Sequence, residues 1–217
     1  MNTEHICEQI QKILFKLPFH YEPEEVPFRN GLYFFYEEGE SSKHSPQGRV
    51  VRIGNHPRSQ NRLIGRLQDH YYGGKNGSVF RRLLGGALIR KDNPKDACLK
   101  HWEEQNSPIC RKCKPIEAEV NRILENKFRF KCINIENKEF RNLMEKNIIA
   151  TISLCSLCNK PTKKWLGNYA CSENVRASGL WNSDYVNNKD YIIAKTDLLK
   201  LKRLTIFTIN RFYLKKR

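Results

Sequence analysis

Gly31-Leu32-Tyr33-Phe34-Phe35-Tyr36-Glu37, Arg49-Val50-Val51-Arg52-Ile53-Gly54, Arg66-Leu67-Gln68-Asp69-His70 and Lys75-Asn76-Gly77-Ser78-Val79-Phe80-Arg81-Arg82 are four pieces of one stretch, Gly31 to Leu88, and they decide the fold. The first two are aromatic and β-branched runs, which predict strands. Between them Glu38 to Gly48 is polar, with Gly39, Ser41, Ser42, Pro46 and Gly48, and predicts a hairpin loop. The last two pieces predict helices. Ser59 can cap a helix running to about His70, on which Arg62, Arg66 and His70 recur every four residues beside a Leu63–Leu67 stripe. That face is either a solvated basic surface or a grip on an anion. Ser78 can cap the next helix, whose apolar face is Phe80, Leu83, Leu84, Ala87 and Leu88. Lys75 and Asn76 just before it make its N-terminus a candidate anion site.

Outward from this block, Thr3 to Leu17 has helical spacing and stops at Pro18. Lys91 to Lys114 breaks the regular pattern. Ile116 to Glu125 is helical again, and Lys127 to Ile135 alternates as a third strand. Asn137 can cap a helix from Lys138 to Ser153 that buries Phe140, Leu143, Met144 and Ile148. Glu145 sits on its flank, one turn from Arg141, where an ordinary ion pair is the plain alternative to a functional role. Trp165-Leu166-Gly167 and Ser178-Gly179-Leu180-Trp181-Asn182 predict a loop packed over the core. Asp190 to Arg217 alternates apolar and basic residues and fits a helix or a strand. The division expected is an N-terminal helix and lead-in over 1–30, a core over 31–153 with a cysteine-rich insertion at 91–115, and a cap and basic tail over 154–217.

With 39% hydrophobic, 11% aromatic and 29% charged residues over 217 positions, the chain is globular on the polar side and not disordered. The net charge of +16 favours a polyanionic partner, and Arg49, Arg52, Arg58, Arg62, Arg66, Arg81, Arg82 and Arg90 crowd into the central block. No apolar run of about 18 residues is present, so no membrane span is expected. The start, Met1-Asn2-Thr3-Glu4-His5, lacks signal-peptide character, so a cytoplasmic location is expected. Eight cysteines there would be thiols, which turns their spacing into a metal question. Cys98-x-x-His101 with Cys110-x-x-Cys113 would make a local structural zinc site. Cys110 and Cys113 with Cys155-x-x-Cys158 would make a four-cysteine site across the fold. Cys7, Cys132 and Cys171 read as ordinary small apolar residues.

Gly31-Leu32-Tyr33, a second strand ending Arg52-Ile53-Gly54, Arg66-Leu67-x-x-His70 and the helix carrying Glu145 together resemble the GIY-YIG nuclease superfamily, over roughly Gly31 to Ile152. Phe80-Arg81-Arg82-x-x-Gly85, Trp165-Leu166-Gly167 and Ser178 to Asn182 resemble its stand-alone bacterial members. The resemblance implies an α/β fold of the α+β kind: a small three-stranded antiparallel sheet flanked by helices. It implies an endonuclease that hydrolyses DNA with Mg²⁺ or Mn²⁺. Tyr33 would be base or water-positioner, Arg66 would stabilise the transition state, His70 would assist, and Glu145 would hold the metal. Arg52, His56, Arg62, Lys75, Asn76, Ser78, Arg81, Arg82 and Asn159 would contact nucleic acid. One departure stands out: the tyrosine expected in the second motif is Arg52. It motivates the alternative of a non-catalytic nucleic-acid-binding protein; the zinc pattern motivates a zinc-stapled RNA-interaction module. A homodimer is the arrangement in which one site per chain would cut both strands.

Overall fold

The structure is a computed structural model describing residues 2–56, 60–104, 106–108 and 111–214. Its centre is a three-stranded antiparallel sheet of β1 (Gly31–Glu37), β2 (Val50–Gly54) and β3 (Phe128–Asn134), in the order β2-β1-β3. β1 lies between the other two and is covered on both faces. That is why its sequence is one apolar run and not an alternation. Tyr33 and Phe35 point into one hydrophobic cluster, and Leu32, Phe34 and Tyr36 into the other. The first cluster packs against α2 (Leu63–Tyr71), α3 (Val79–Asp92), α4 (Ala97–Glu103) and α5 (Lys114–Lys127). The second packs against α1 (Thr3–Phe15), α6 (Lys138–Ser153) and α8 (Lys195–Leu214). A short helix, α7 (Glu173–Ser178), belongs to the cover over the first.

Two glycines are sites of close approach. A Cβ on Gly31 would lie 2.2 Å from the Ile133 carbonyl oxygen across the sheet, and one on Gly54 would lie 2.2 Å from the Tyr33 hydroxyl. Gly54 is the cross-strand partner of Tyr33, so its missing side chain is the space the tyrosine ring occupies. The pairing of β1 with β2 shifts between Phe35 and Tyr36, leaving Val51 as an extra residue. Val51 enters the first cluster, and the Arg52 guanidinium lies 4.9 Å over the Phe80 ring on the same side. The bulge thus aims Arg52 along the face that carries Tyr33.

Residues beyond α6 close over the outer side of β2. Trp181 N–H donates to Val51 O at 2.6 Å, and the Asn182 amide both donates to Ile53 O (2.8 Å) and accepts from Ile53 N–H (3.1 Å). On the outer side of β3, His20 exchanges both backbone bonds with Phe130, at 2.8 and 3.0 Å, and Thr208 Oγ1 accepts from Asn134 N–H at 3.0 Å. The hairpin loop is tied to the same cover. Arg49, fully buried, pairs with Glu40 at 2.6 Å and donates to Gly179 O, while Glu40 also accepts from Thr162. Glu37 takes the indole N–H of both Trp165 and Trp181, and burial pushes its carboxyl up to about 7.

Two expectations need correction, and one left open is decided. α2 begins at Leu63; Arg62 precedes it without a side-chain cap, and Ser59 lies outside the described residues. The insertion at 91–115 contains the helix α4, where Asp96 caps Cys98 N–H at 2.7 Å. The C-terminal segment is a helix through Leu214. Its Thr205 and Thr208 hydroxyls satisfy the carbonyls four residues back, which spares the chain the cost of polar side chains on a buried helical face.

Candidate active site

A cleft of about 540 Å³ opens where β1, β2, α2, α3 and α6 meet. Tyr33, Arg52, Asn55, Arg66, Asn182 and Glu145 line it, together with Arg62, Asn76, Arg82 and His56. Each comes from an element whose own logic fixes it. Tyr33 is on the central strand, Arg52 follows the bulge, Arg66 stands one turn before His70 on α2, and Glu145 is on the α6 face toward β2.

Behind Tyr33 runs a buried polar chain. Tyr33 Oη lies 2.8 Å from His70 Nε2, and His70 Nδ1 lies 2.7 Å from Ser78 Oγ. Ser78 Oγ also accepts the Arg81 N–H at 3.2 Å, as the N-cap of α3. All three side chains are buried. The Ser78 proton therefore goes to His70 Nδ1, since a buried hydroxyl left undonated is costly. His70 is then neutral with its proton on Nε2, donating to the Tyr33 oxygen. Its electrostatics agree: burial first, then the Arg66, Arg52 and Arg81 charges, push the imidazole well below its ordinary range.

The charged residues of the cleft are each held by a specific partner. Arg52 donates to Trp181 O and is electrostatically coupled to Tyr33 and Glu145, although burial disfavours its charge. Arg66 donates to Gly77 O at 2.8 Å and sits 3.8 Å from Asp69, which also pairs with Arg62 at 3.3 Å. Glu145 Oε1 accepts Asn55 N–H at 3.1 Å. Burial pushes the Glu145 carboxyl up to about 7, against Arg52, that N–H and Arg66, which favour the carboxylate; Asp184 nearby raises it further. Arg141 does not pair with Glu145; it donates to Ile135 O and Glu136 O.

Several residues expected at a nucleic-acid surface are structural. Lys75 is fully buried, and its ammonium donates to Glu104 O (2.8 Å) and Ser107 Oγ (2.9 Å). Arg81 is buried and donates to His70 O, Tyr71 O, Glu117 and Asn121. Ser78 serves the cap and His70. Lys75 is therefore not the cation of an anion site at the start of α3, although Asn76, Gly77 and Val79 there line the cleft. His56 accepts Gly31 N–H at its Nε2 (3.2 Å). Asn159 donates to Ser153 O (2.6 Å) at the end of α6 and does not line the cleft. Asn55 and Asn182 do, and neither was read from the sequence as a cleft residue, because each is placed by contacts more than 85 residues away.

The cysteines divide between the two faces of the sheet. Cys113 lies in the cluster on the Tyr33 face, Cys155 and Cys158 in the other, so the cross-fold four-cysteine set is not brought together. Of the local set, Cys98 packs on the first cluster, His101 donates from Nε2 to Pro108 O (2.9 Å), and Cys110 lies outside the described residues. Cys7 departs from its expected role as a plain apolar residue: its sulfur lies 3.4 Å from that of Cys158.

Comparison with known proteins gives one match. The family model for the GIY-YIG domain matches residues 15–203. No curated protein and no solved structure matches.

Proposed function

The chain belongs to the GIY-YIG domain family, a family of nucleases, and from that premise we propose that it is a divalent-metal-dependent endonuclease acting on DNA phosphodiester bonds. The observation that carries this reading is the convergence of Tyr33, Arg52, Arg66 and Glu145 on one cleft of a strongly basic chain.

The donors facing the cleft suit a hard cation. Glu145 and Asp184 offer carboxylate oxygens, and no cysteine lines the cleft among the described residues. The side-chain oxygen of Asn55, whose backbone binds Glu145, is buried without a hydrogen-bond partner among the described residues. Glu145, with Asp184 beside it, would hold the metal, which supplies charge neutralisation and a polarised water when bound. Everything else is the chain's own chemistry. With His70 Nε2–H donating to its oxygen, Tyr33 keeps its hydroxyl hydrogen for the cleft and orients the attacking water. If the phenol first loses that hydrogen to solvent in the cleft, the same Nε2–H bond would stabilise the phenolate oxygen, which could then take a proton from the attacking water. Arg66 and Arg52 face the negative charge that develops on the phosphoryl oxygens. Arg52 thus supplies a cation where the family pattern has a second tyrosine.

The test is nicking of supercoiled plasmid with magnesium and with EDTA, using the wild type, Tyr33→Phe and Glu145→Gln. Magnesium-dependent nicking lost in both variants supports the assignment. Binding without cutting by the wild type, over several metals and substrates, would replace it with a non-catalytic nucleic-acid-binding role.

A further inference from the structure

Cys7 on α1, His44 in the β1–β2 loop, and Cys155 and Cys158 just beyond α6 bring their ligand atoms within 4.8 Å of one another. The three cysteines are buried, at 0, 0 and 1% exposure. None of the four lines the cleft. Their spacing matches one ion. Zinc–sulfur bonds of about 2.3 Å and a zinc–nitrogen bond of about 2.0 Å in a tetrahedron set S···S near ~3.8 Å and S···N near ~3.6 Å. Cys7 Sγ and Cys158 Sγ are 3.4 Å apart, and His44 Nδ1 is 3.6 Å from Cys155 Sγ and 3.5 Å from Cys158 Sγ.

We propose that Cys7, His44, Cys155 and Cys158 bind one structural zinc ion. Three soft thiolates and an imidazole select zinc over magnesium. Four protein ligands close the tetrahedron and leave no position for substrate, which separates this site from the cleft. The surroundings support the sulfurs as ligands. Ser42 Oγ lies 3.2 Å from Cys158 Sγ and Gln11 Nε2 3.9 Å from it, two groups able to donate to a thiolate. The Lys43 N–H donates to Leu157 O at 3.3 Å, so the backbone that carries His44 is already fastened to the Cys155–Cys158 turn. The ion would join residues 151 positions apart and pin the first helix and the hairpin loop to the end of α6.

Metal content of the protein purified without chelator tests this, read beside the variants Cys158→Ser, His44→Cys, Cys98→Ala and Cys171→Ser. Whatever the wild-type total, Cys158→Ser should lose one equivalent of zinc, while Cys98→Ala and Cys171→Ser lose none from this site. His44→Cys should keep the ion as a four-thiolate site, and after cobalt exchange its sulfur-to-cobalt charge-transfer absorption should rise relative to wild type. That comparison stands even if Cys158→Ser does not fold. The proposal is overturned by a zinc-free wild type, by a cobalt spectrum unchanged in His44→Cys, or by zinc lost only when Cys98 is changed. It would also be overturned by a Cys7–Cys158 disulfide in the purified protein.

Discussion

Replacing Glu145 with glutamine should make the protein more stable in a way that depends on pH. The folded carboxyl sits near 7 against an ordinary 4.5, chiefly because burial disfavours its charge. Below about pH 4.5 the group is protonated whether the chain is folded or not, and it has no effect. Between 4.5 and 7 the unfolded chain releases the proton first, so wild-type stability falls as pH rises. Above 7 the full cost of the buried charge is present. At about 1.4 kcal/mol per unit over a rise from 4.5 to about 7, it amounts to at most about 3.5 kcal/mol. Glutamine keeps the acceptor for Asn55 N–H and removes the charge. Urea unfolding of wild type and Glu145→Gln at pH 4 and pH 8.5 should give nearly equal stabilities at the lower pH and a gain approaching that figure at the higher. For a chain of this length the gain is worth roughly 7–14 °C in melting temperature. Glu37, also near 7, titrates in both proteins and cancels in the difference. Saturating magnesium should close the gap by stabilising only the wild type. A difference that does not change with pH, or a glutamine variant that is weaker at pH 8.5, would refute the placement of this carboxyl.

Three further predictions follow from the geometry. Gly54→Ala puts a methyl 2.2 Å from the Tyr33 hydroxyl, so it should abolish nicking and cost about 1–3 kcal/mol in urea titrations; full activity would show that the ring is free to move. Ser78→Ala should lose about 1 kcal/mol of cap stability together with activity. Ser78→Thr should restore both, whereas Ser78→Asp, which caps but cannot donate to His70 Nδ1, should restore stability alone; equal rescue by both would contradict the proton placement in the Tyr33–His70–Ser78 chain. Finally, Arg82→Ala should flatten the salt dependence of DNA binding by about one counterion while Lys75→Met, whose ammonium is buried, should leave that slope unchanged and lower stability. Filter-binding titrations over a salt series read both.

The strands, their antiparallel hairpin and the helix carrying Glu145 were legible because local signals agreed with the fold. The bounds expected for the third strand and for the helix from Lys138 to Ser153 fall within a residue or two of those observed. Tyr33, Arg66, His70 and Glu145 were singled out as a set only through the resemblance to the GIY-YIG family, and the structure places all four in or directly behind the cleft. What failed did so for a shared physical reason. A lysine, an arginine and a serine ahead of a helix look alike in sequence whether they face solvent or the interior. Lys75 and Arg81 are inside because carbonyls from the insertion and α2 converge on them. Cys7 lay in a helical apolar stripe, and nothing local distinguishes a sulfur that packs from one that meets partners from two other segments. The motif containing Asn182 was singled out, but its part in the cleft was not, because it imitates a neighbouring strand for Ile53 and that role exists only after the cover has closed.

That imitation has a consequence for how the molecule can associate and how it can be shortened. A three-stranded sheet has two bare margins, each a template for adding a foreign strand. Here one is occupied by Trp181 and Asn182 and the other by His20 and Thr208, which come from near opposite ends of the chain. Neither margin is thus open to a strand from a second copy of the chain. A fragment trimmed to the motif-bearing middle would expose both margins at once and enter fibres or inclusion bodies before it could be assayed. Silence from such a fragment would report the loss of its guards, not the absence of chemistry.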